Sequence, residues 1–219
     1  MKRVFGLGLL FVMIAACAGC GTTPTEPTED TAVSSETAPA EDISFTYVNR
    51  PDGTIAVTSY QASEQPEVVE IPSEIDGKTV AEISGFMFMQ EEHVKKVILP
   101  ETLREIDNST FLNATSIEEV VITGPLDMIG EAAFSGCSSL VKLDFRKGLK
   151  EIGYVAINLC ENLEDVYLPE DLESTDDVAI CILCDKVTIH VPKGSQTETL
   201  IREMQKGSDF TGTILAERW

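Results

Sequence analysis

A repeat of 23 residues is the feature that most restricts how this chain can fold. When its Val-x-Leu-Pro strings are placed under one another, one column of residues recurs at spacings of 28, 23, 23, 23 and 23. That column contains Pro72, Pro100, Thr123, Arg146, Pro169 and Pro192. A single unit of this length has too few apolar positions to close a core, whereas stacked copies bury their faces against one another. The repeat therefore predicts a solenoid.

Apolar columns run through the chain with the same period. One column holds isoleucine in four successive repeats, and the column five residues later is mostly phenylalanine. The members of these two columns are Ile83, Ile106, Ile129 and Ile152, then Phe88, Phe111, Phe134 and Ile157. Short strands are predicted at residues 97–99, 120–122, 143–145 and 166–168. We predict a mainly β fold of about five 23-residue repeats with parallel strands over residues 68–192, with a local turn at Asp76-Gly77 in the longer first repeat.

The repeat also resembles a known family. The string Ile129-Gly130-Glu131-Ala132-Ala133-Phe134-Ser135-Gly136-Cys137-Ser138-Ser139-Leu140 is similar to the BspA-like leucine-rich repeats of bacterial surface proteins. This resemblance covers Val68 to Pro192 and implies a leucine-rich-repeat solenoid, in proteins implicated in adhesion to host or bacterial surfaces. Thr175 departs from the expected isoleucine, and the register of Cys181 and Cys184 is ambiguous. We therefore expect an irregular last coil.

Segments on both sides of the repeats are predicted to cap them. In residues 43–67, alternating stretches at 45–48 and 54–60 flank the turn-rich residues 49–53, a pattern typical of a β-hairpin. In residues 193–219, Leu200, Ile201 and Met204 lie on one face of a predicted helix at 196–206, and 211–215 form a candidate final strand. A solenoid needs such caps because its first and last coils would otherwise expose their core.

The first 20 residues are predicted to be an export signal. Lys2 and Arg3 precede the apolar run Val4 to Ala16, which is shorter than the roughly 20 residues that cross a bilayer. The following string, Ile14-Ala15-Ala16-Cys17-Ala18-Gly19-Cys20-Gly21, resembles a bacterial lipoprotein signal. That resemblance implies lipidation of Cys17 or Cys20, with Cys17 slightly favoured by Ile14, and a lipid anchor on the extracytoplasmic side of an inner or outer membrane.

Charge and composition indicate which classes of partner the chain can bind. Residues 21–42 contain six acidic residues, no basic residue and no aromatic residue, so we predict an extended acidic linker there. The whole chain has 16 Lys+Arg against 37 Asp+Glu and a formal net charge of −21, which disfavours nucleic acid. We expect a protein or another cell-surface macromolecule as partner, and a monomeric chain.

Catalytic chemistry has little support in the sequence. The two histidines, His93 and His190, lie in no recognised catalytic motif, and we predict no enzyme, no cofactor and no metal site. Cys137 and Cys160 share a repeat column, which is compatible with a disulfide but favours a ladder of buried thiols. The C-x-x-C at 181–184 lacks the second pair of ligands that a zinc site of this type needs.

Binding is the function that the pattern favours. If Val97, Leu99 and their equivalents point inward, two rows of side chains face outward. The first row is Glu70, Ile98, Val121, Asp144, Tyr167 and His190, and the second is Val68, Lys96, Glu119, Lys142, Asp165 and Thr188. Positive charge at Lys96, Lys142 and Arg146 beside apolar side chains is typical of protein interfaces. The predicted binding face comprises Lys96, Ile98, Val121, Lys142, Asp144, Arg146, Tyr167 and His190.

Two functional hypotheses follow from this face. In the first, a lipid-anchored surface protein binds another macromolecule through it. In the second, the domain is a structural envelope spacer or a glycan-contacting module, with Ile98 and Val121 present for strand propensity alone. Glycan binding usually requires exposed aromatic side chains, and on this face the sequence offers Tyr167.

Overall fold

The computed structural model describes residues 43–175, 180, 184, 186–207, 210 and 212–218. The predicted signal peptide, the acidic linker, Cys17, Cys20 and Cys181 lie outside these residues, so the statements about them stay predictions. In the described part of the chain, no helix has the length and apolar character needed to span a membrane.

Two sheets of mainly parallel strands form the body of the described chain. Sheet A consists of β1 (Ser44–Asn49), β2 (Ile55–Gln61), β4 (Glu74–Ile75), β5 (Lys78–Ile83), β7 (Glu105–Ile106), β9 (Met128–Ile129), β11 (Glu151–Ile152) and β13 (Ser174–Thr175). Sheet B consists of β3 (Val68–Glu70), β6 (Lys96–Leu99), β8 (Glu119–Ile122), β10 (Lys142–Asp144), β12 (Asp165–Tyr167), β14 (Thr188–Pro192) and β15 (Thr213–Glu217). One helix, α1 (Gln196–Gly207), separates β14 from β15.

Each repeat contributes one strand to each sheet. From β6 to β14 in sheet B and from β5 to β13 in sheet A, partners in neighbouring strands are 23 residues apart, as in Val97 with Val120 and Ile106 with Ile129, and these pairings are parallel. The predicted mainly β solenoid with parallel strands is therefore confirmed. The extra residues of the first repeat form the predicted turn, in which Asp76 and Gly77 have φ of 51° and 73° and join β4 to β5 as an antiparallel pair.

The core lies between the two sheets and contains a ladder of aromatic rings. Phe88 and Phe111 stack with ring centroids 5.0 Å apart, and Phe111 and Phe134 stack at 4.9 Å. Tyr60 of the hairpin lies 5.6 Å from Phe88 and so extends the ladder into the cap. The three phenylalanines are essentially inaccessible to solvent. Stacking of repeat upon repeat is thus what buries these rings.

A buried thiol column runs beside the aromatic ladder. The Sγ atoms of Cys137 and Cys160 each lie 3.1 Å from a carbonyl oxygen of the preceding coil, that of Phe111 and that of Phe134 respectively, and can donate to it. Cys137 and Cys160 are free thiols, so the ladder interpretation agrees with the structure and the disulfide does not. Hydrogen bonding with the thiols of Cys137 and Cys184, followed by burial, raises the pKa of the Cys160 thiol. These cysteines act as small core side chains.

Both predicted caps are present. The hairpin of β1 and β2 continues sheet A, and α1 with β15 follows the last coil. Ser195 caps the start of α1, because the Glu198 amide donates to Ser195 Oγ at 2.9 Å, and the Glu198 carboxylate accepts a hydrogen bond from the Gly194 amide at 2.7 Å. Thr197 Oγ1 accepts a hydrogen bond from the Leu172 amide at 3.0 Å, which fixes the helix to the preceding coil.

Candidate binding face

The register of sheet B places the two predicted rows on its outer side. In one row Ile98 pairs with Val121, and further along the same row Tyr167 pairs with His190. The alternate residues point into the core, as shown by Val97, which is buried. In the other row the successive strands align the charged side chains Lys96, Glu119, Lys142 and Asp165. Neighbouring members of a row are therefore separated by one strand spacing, roughly 4.8 Å.

The aromatic ring of Tyr167 lies at the centre of a stack on this face. His190 packs against it with ring centroids 4.1 Å apart and an interplanar angle of 8°. Lys142 Nζ lies 4.6 Å from the Tyr167 centroid, and the Arg146 guanidinium carbon lies 4.7 Å from it. Strands β10 and β14 flank β12 on opposite sides, so the ring is held between the two cations and the imidazole. Cation–π attraction favours this arrangement.

Carboxylates compensate the positive charge predicted for this face. Asp144 Oδ1 accepts a hydrogen bond from Arg146 Nε at 2.9 Å, and Asp144 Oδ2 lies 3.5 Å from Lys142 Nζ. Burial raises the pKa of Asp144, but hydrogen bonds from Arg146 and the charge of Lys142 outweigh it, and the pKa is lowered overall. Lys96 pairs with Glu119 at 2.7 Å. The expected concentration of positive charge is therefore a set of alternating charges. Pairing between strands explains this for Lys96, and neighbours two residues apart in the same segment explain it for Lys142 and Arg146.

His190 differs most from its predicted environment. Its place in the outward-facing row predicts an exposed side chain, whereas His190 is only 8% exposed in the structure. Its Nε2 lies 2.7 Å from Asp165 Oδ1, and its Nδ1 lies 3.3 Å from Glu217 Oε2. The physical reason is that β15 continues sheet B beyond β14, so His190 is covered from both sides. Glu217 was missed because it lies outside the repeat and carries no periodic signal.

The remaining predicted residues give the face its accessible surface. Ile98 and Val121 are half-buried and adjacent, which gives a small apolar strip beside the charged row. The side chains of Lys96, Lys142 and Arg146 keep 37%, 48% and 43% of their accessible surface. This face is broad and open. Such a surface suits contact with a macromolecule better than enclosure of a small ligand.

Two hollows lie on the described surface. The first, of about 560 Å³, is bordered by Arg104, Gly124 and Lys147 in the loops after the strands of sheet B. The second, of about 420 Å³, lies between the hairpin and the first coil and is lined by residues that include Tyr60 and His93. Both hollows are open and mostly polar. Among the described residues no group of three or more His, Cys, Asp or Glu side chains is placed to hold a metal ion.

Comparison with known proteins identifies the repeat and the fold. The family model for the BspA type leucine rich repeat region matches residues 54–196 in six copies, which is more than half of the chain. The crystal structure of the T. pallidum leucine rich repeat protein TpLRR is similar with a TM-score of 0.60 and 22% identity, over 79% of this chain and 97% of that one. The pneumococcal vaccine antigen PcpA is similar with a TM-score of 0.54 and 18% identity, over 80% of this chain.

The two similar structures differ in how much of their own length is matched, 97% of TpLRR and 48% of PcpA. The match covers 48% of the PcpA chain, so the present chain spans about half of that protein. At these identities the two structures demonstrate a common fold. The chain has no significant match among curated protein sequences.

Proposed function

Because the chain belongs to the BspA-type leucine-rich repeat family, we propose that it binds another macromolecule through the outer face of sheet B. The observation that carries this proposal is the Tyr167 ring, held between His190 on one side and Lys142 and Arg146 on the other. Aromatic and arginine side chains held in one geometry are the usual energetic centres of protein interfaces, since little entropy is lost when they bind.

We propose further that the chain acts on the extracytoplasmic side of a membrane, at the cell surface. The lipoprotein-like signal supports lipidation of Cys17 or Cys20, and the acidic residues 21–42 would hold the folded part away from an anionic membrane surface. A lipid anchor would place many copies of the binding face in one layer. Adhesion or another surface protein–protein interaction is the role that this arrangement supports.

The glycan-contacting alternative receives less support from the geometry. A sugar ring usually stacks on an open aromatic face, whereas both faces of Tyr167 are approached by other side chains. We therefore favour a protein partner. The structural-spacer alternative predicts that changes on this face leave surface interactions unaltered, and the experiment below separates the two hypotheses.

The proposal is tested by capture of partners on intact cells that display the full chain. The double change Tyr167→Ala with Arg146→Glu is expected to weaken capture without unfolding the protein, because both side chains lie on the outer side of the solenoid. The matched control is Glu29→Lys with Asp30→Lys in the acidic linker, which also changes side-chain charge. Circular dichroism confirms that each variant is folded. Normal capture by the folded face variant, together with loss of capture by the linker variant, would show that this face is not the binding site.

A further inference from the structure

His190 is a buried titratable side chain with a carboxylate at each ring nitrogen. Asp165 on β12 lies 2.7 Å from Nε2, and Glu217 on β15 lies 3.3 Å from Nδ1. The His190 side chain retains 10% of its accessible surface, whereas those of Asp165 and Glu217 retain 38% and 40%. The imidazole on β14 therefore contacts β12 on one side and β15 on the other, and the two carboxylates are more exposed to solvent than the ring.

The charge of the imidazole decides whether both contacts are favourable. An ionised carboxylate only accepts hydrogen bonds, and a neutral imidazole carries one N–H and one lone pair. Both carboxylates are hydrogen-bonded only when both ring nitrogens carry hydrogen, which is the imidazolium form. After loss of one proton, one nitrogen lone pair faces a carboxylate oxygen. Nε2, which makes the shorter contact to Asp165, is expected to keep its hydrogen. Nδ1 then carries the lone pair, and the hydrogen bond to Glu217 is lost.

Strand β15 is the edge strand of sheet B in the described part of the chain. Its five residues pair in parallel with β14, and sheet B ends there in the described part of the chain, so β15 has one described strand neighbour. Leu215, the partner of His190 in the register, is 40% exposed. A terminal strand with partly exposed side chains belongs to the part of a fold that opens most easily. A charge-assisted hydrogen bond at its end therefore has a large influence on its opening.

We infer that protonation of His190 clamps β15 to the solenoid and that deprotonation loosens this strand. The groups that face His190 are Asp165 and Tyr167 from β12 and Glu217 from β15, with Lys142 and Arg146 beyond the Tyr167 ring. Helix α1 lies on the inner side of β14, where its Ile201 and Met204 join the core. Histidine is the side chain that changes charge in the physiological range, so the C-terminal cap responds to pH. The inference goes beyond the proposed function, because it concerns the cap whether or not a partner is bound.

Amide hydrogen exchange of the full chain at several pH values, without any partner, tests the inference. After correction for the intrinsic exchange rate, protection of the β15 amides is expected to fall about fivefold to tenfold between about pH 5.5 and about pH 8, while the amides of β8 stay unchanged. In His190→Gln, which cannot titrate, protection of β15 is expected to be the same at both values. Glu217→Gln, which removes only the carboxylate that faces Nδ1, is expected to remain folded and to lose most of the pH dependence of β15 protection.

His93→Gln provides the matched control, because His93 is the other histidine of the chain and its side chain is 51% exposed on the first coil. This variant is expected to behave like the parent protein. Protection of β15 that does not vary with pH in the parent protein would overturn the inference. So would a normal pH dependence in both His190→Gln and Glu217→Gln. Neither result bears on partner capture through Tyr167 and Arg146, so failure of the clamp and failure of the proposed function are distinguishable.

Discussion

Arg50, beside the turn of the N-terminal hairpin, donates from Nη2 to both carboxylate oxygens of Glu105, each at 3.0 Å. Its Nε lies 3.3 Å from Glu82 Oε2, so a single guanidinium joins the cap to two successive strands of sheet A. Burial raises the pKa of Glu82, and the neighbouring Glu105 and Asp107 add to this, while Arg50 acts in the opposite direction. Arg50 therefore stabilises a cluster of stacked carboxylates that would otherwise repel one another.

The first prediction concerns Arg50→Met. Removal of the guanidinium leaves Glu82 and Glu105 partly buried without their counter-charge, and we expect a loss of about 1.5–3 kcal/mol in the free energy of unfolding at neutral pH. The pKa of Glu82 is already raised, and without Arg50 it rises further. A raised carboxyl pKa costs stability above that pKa, so the deficit of the variant should shrink as the pH falls and Glu82 takes up a proton.

Urea titrations at neutral and acidic pH measure this effect. Arg202→Met is the control, because Arg202 forms an exposed i,i+4 pair with Glu198 on α1, a type of pair worth only about 0.3–0.5 kcal/mol. If Arg50→Met lowers the free energy of unfolding no more than this control does, the contacts of Arg50 with Glu82 and Glu105 do not stabilise the packing of the hairpin on the repeats.

The second prediction concerns the aromatic ladder. Phe134 is fully buried and stacks on Phe111, so Phe134→Ala should leave a cavity and cost about 3–5 kcal/mol in the free energy of unfolding. Because each coil is stabilised by its neighbours, loss of amide protection should extend beyond one repeat. Tyr154→Ala on the exposed side of a turn is the control, with a change within about 0.5 kcal/mol expected. A cost as small as that of the control would contradict the central position of Phe134 in the core.

The third prediction concerns the pH dependence of Asp144. Its pKa is lowered in the folded protein, because Arg146 and Lys142 outweigh the effect of burial. A carboxyl group with a lowered pKa contributes stability above its unfolded pKa of about 4, and this contribution is lost as the pH falls through the folded pKa. In Arg146→Met the pKa of Asp144 should rise towards its ordinary value, which carboxyl NMR titration measures directly. The control is Lys147→Met, which removes a positive charge at the next position and should leave the pKa of Asp144 unchanged. An equal shift of this pKa in both variants would exclude the direct contact with Arg146 as the cause.

The fourth prediction concerns the anchor. Incorporation of labelled fatty acid should be lost in the variant that removes the acylated cysteine, and we expect this variant to be Cys17→Ser. Loss of label in Cys20→Ser alone would assign the modification to Cys20 instead. Persistence of label in the double variant would refute lipidation at this motif.

The repeating part of the fold could be predicted closely from the sequence. The columns of Ile106, Phe111 and their equivalents place a similar side chain at the same point of most coils, so one alignment specifies strand, turn and core together. The caps were located with similar success. The hairpin predicted at 45–48 and 54–60 consists of β1 and β2, and the helix predicted at 196–206 is α1, because amphipathic alternation is a local signal.

The candidate site could be predicted only in part. Tyr167, Lys142 and Arg146 are adjacent as the register required, but their mutual stacking and their compensation by Asp144 depend on side-chain directions that no periodicity encodes. The predicted final strand at 211–215 is β15, which begins and ends two residues later.

The sequence alone determined the period, the parallel strands and the identity of the core columns, because these follow from which residues recur every 23 positions. The contacts that the repeats make with segments outside their period became visible in the packed fold. The alignment of β15 with β14 brings Glu217 to His190 and converts an expected surface residue into a buried one. The hairpin turn likewise brings Arg50 to Glu82 and Glu105. Such contacts join segments that share no repeat register, and their geometry is set by how the caps pack on the end coils.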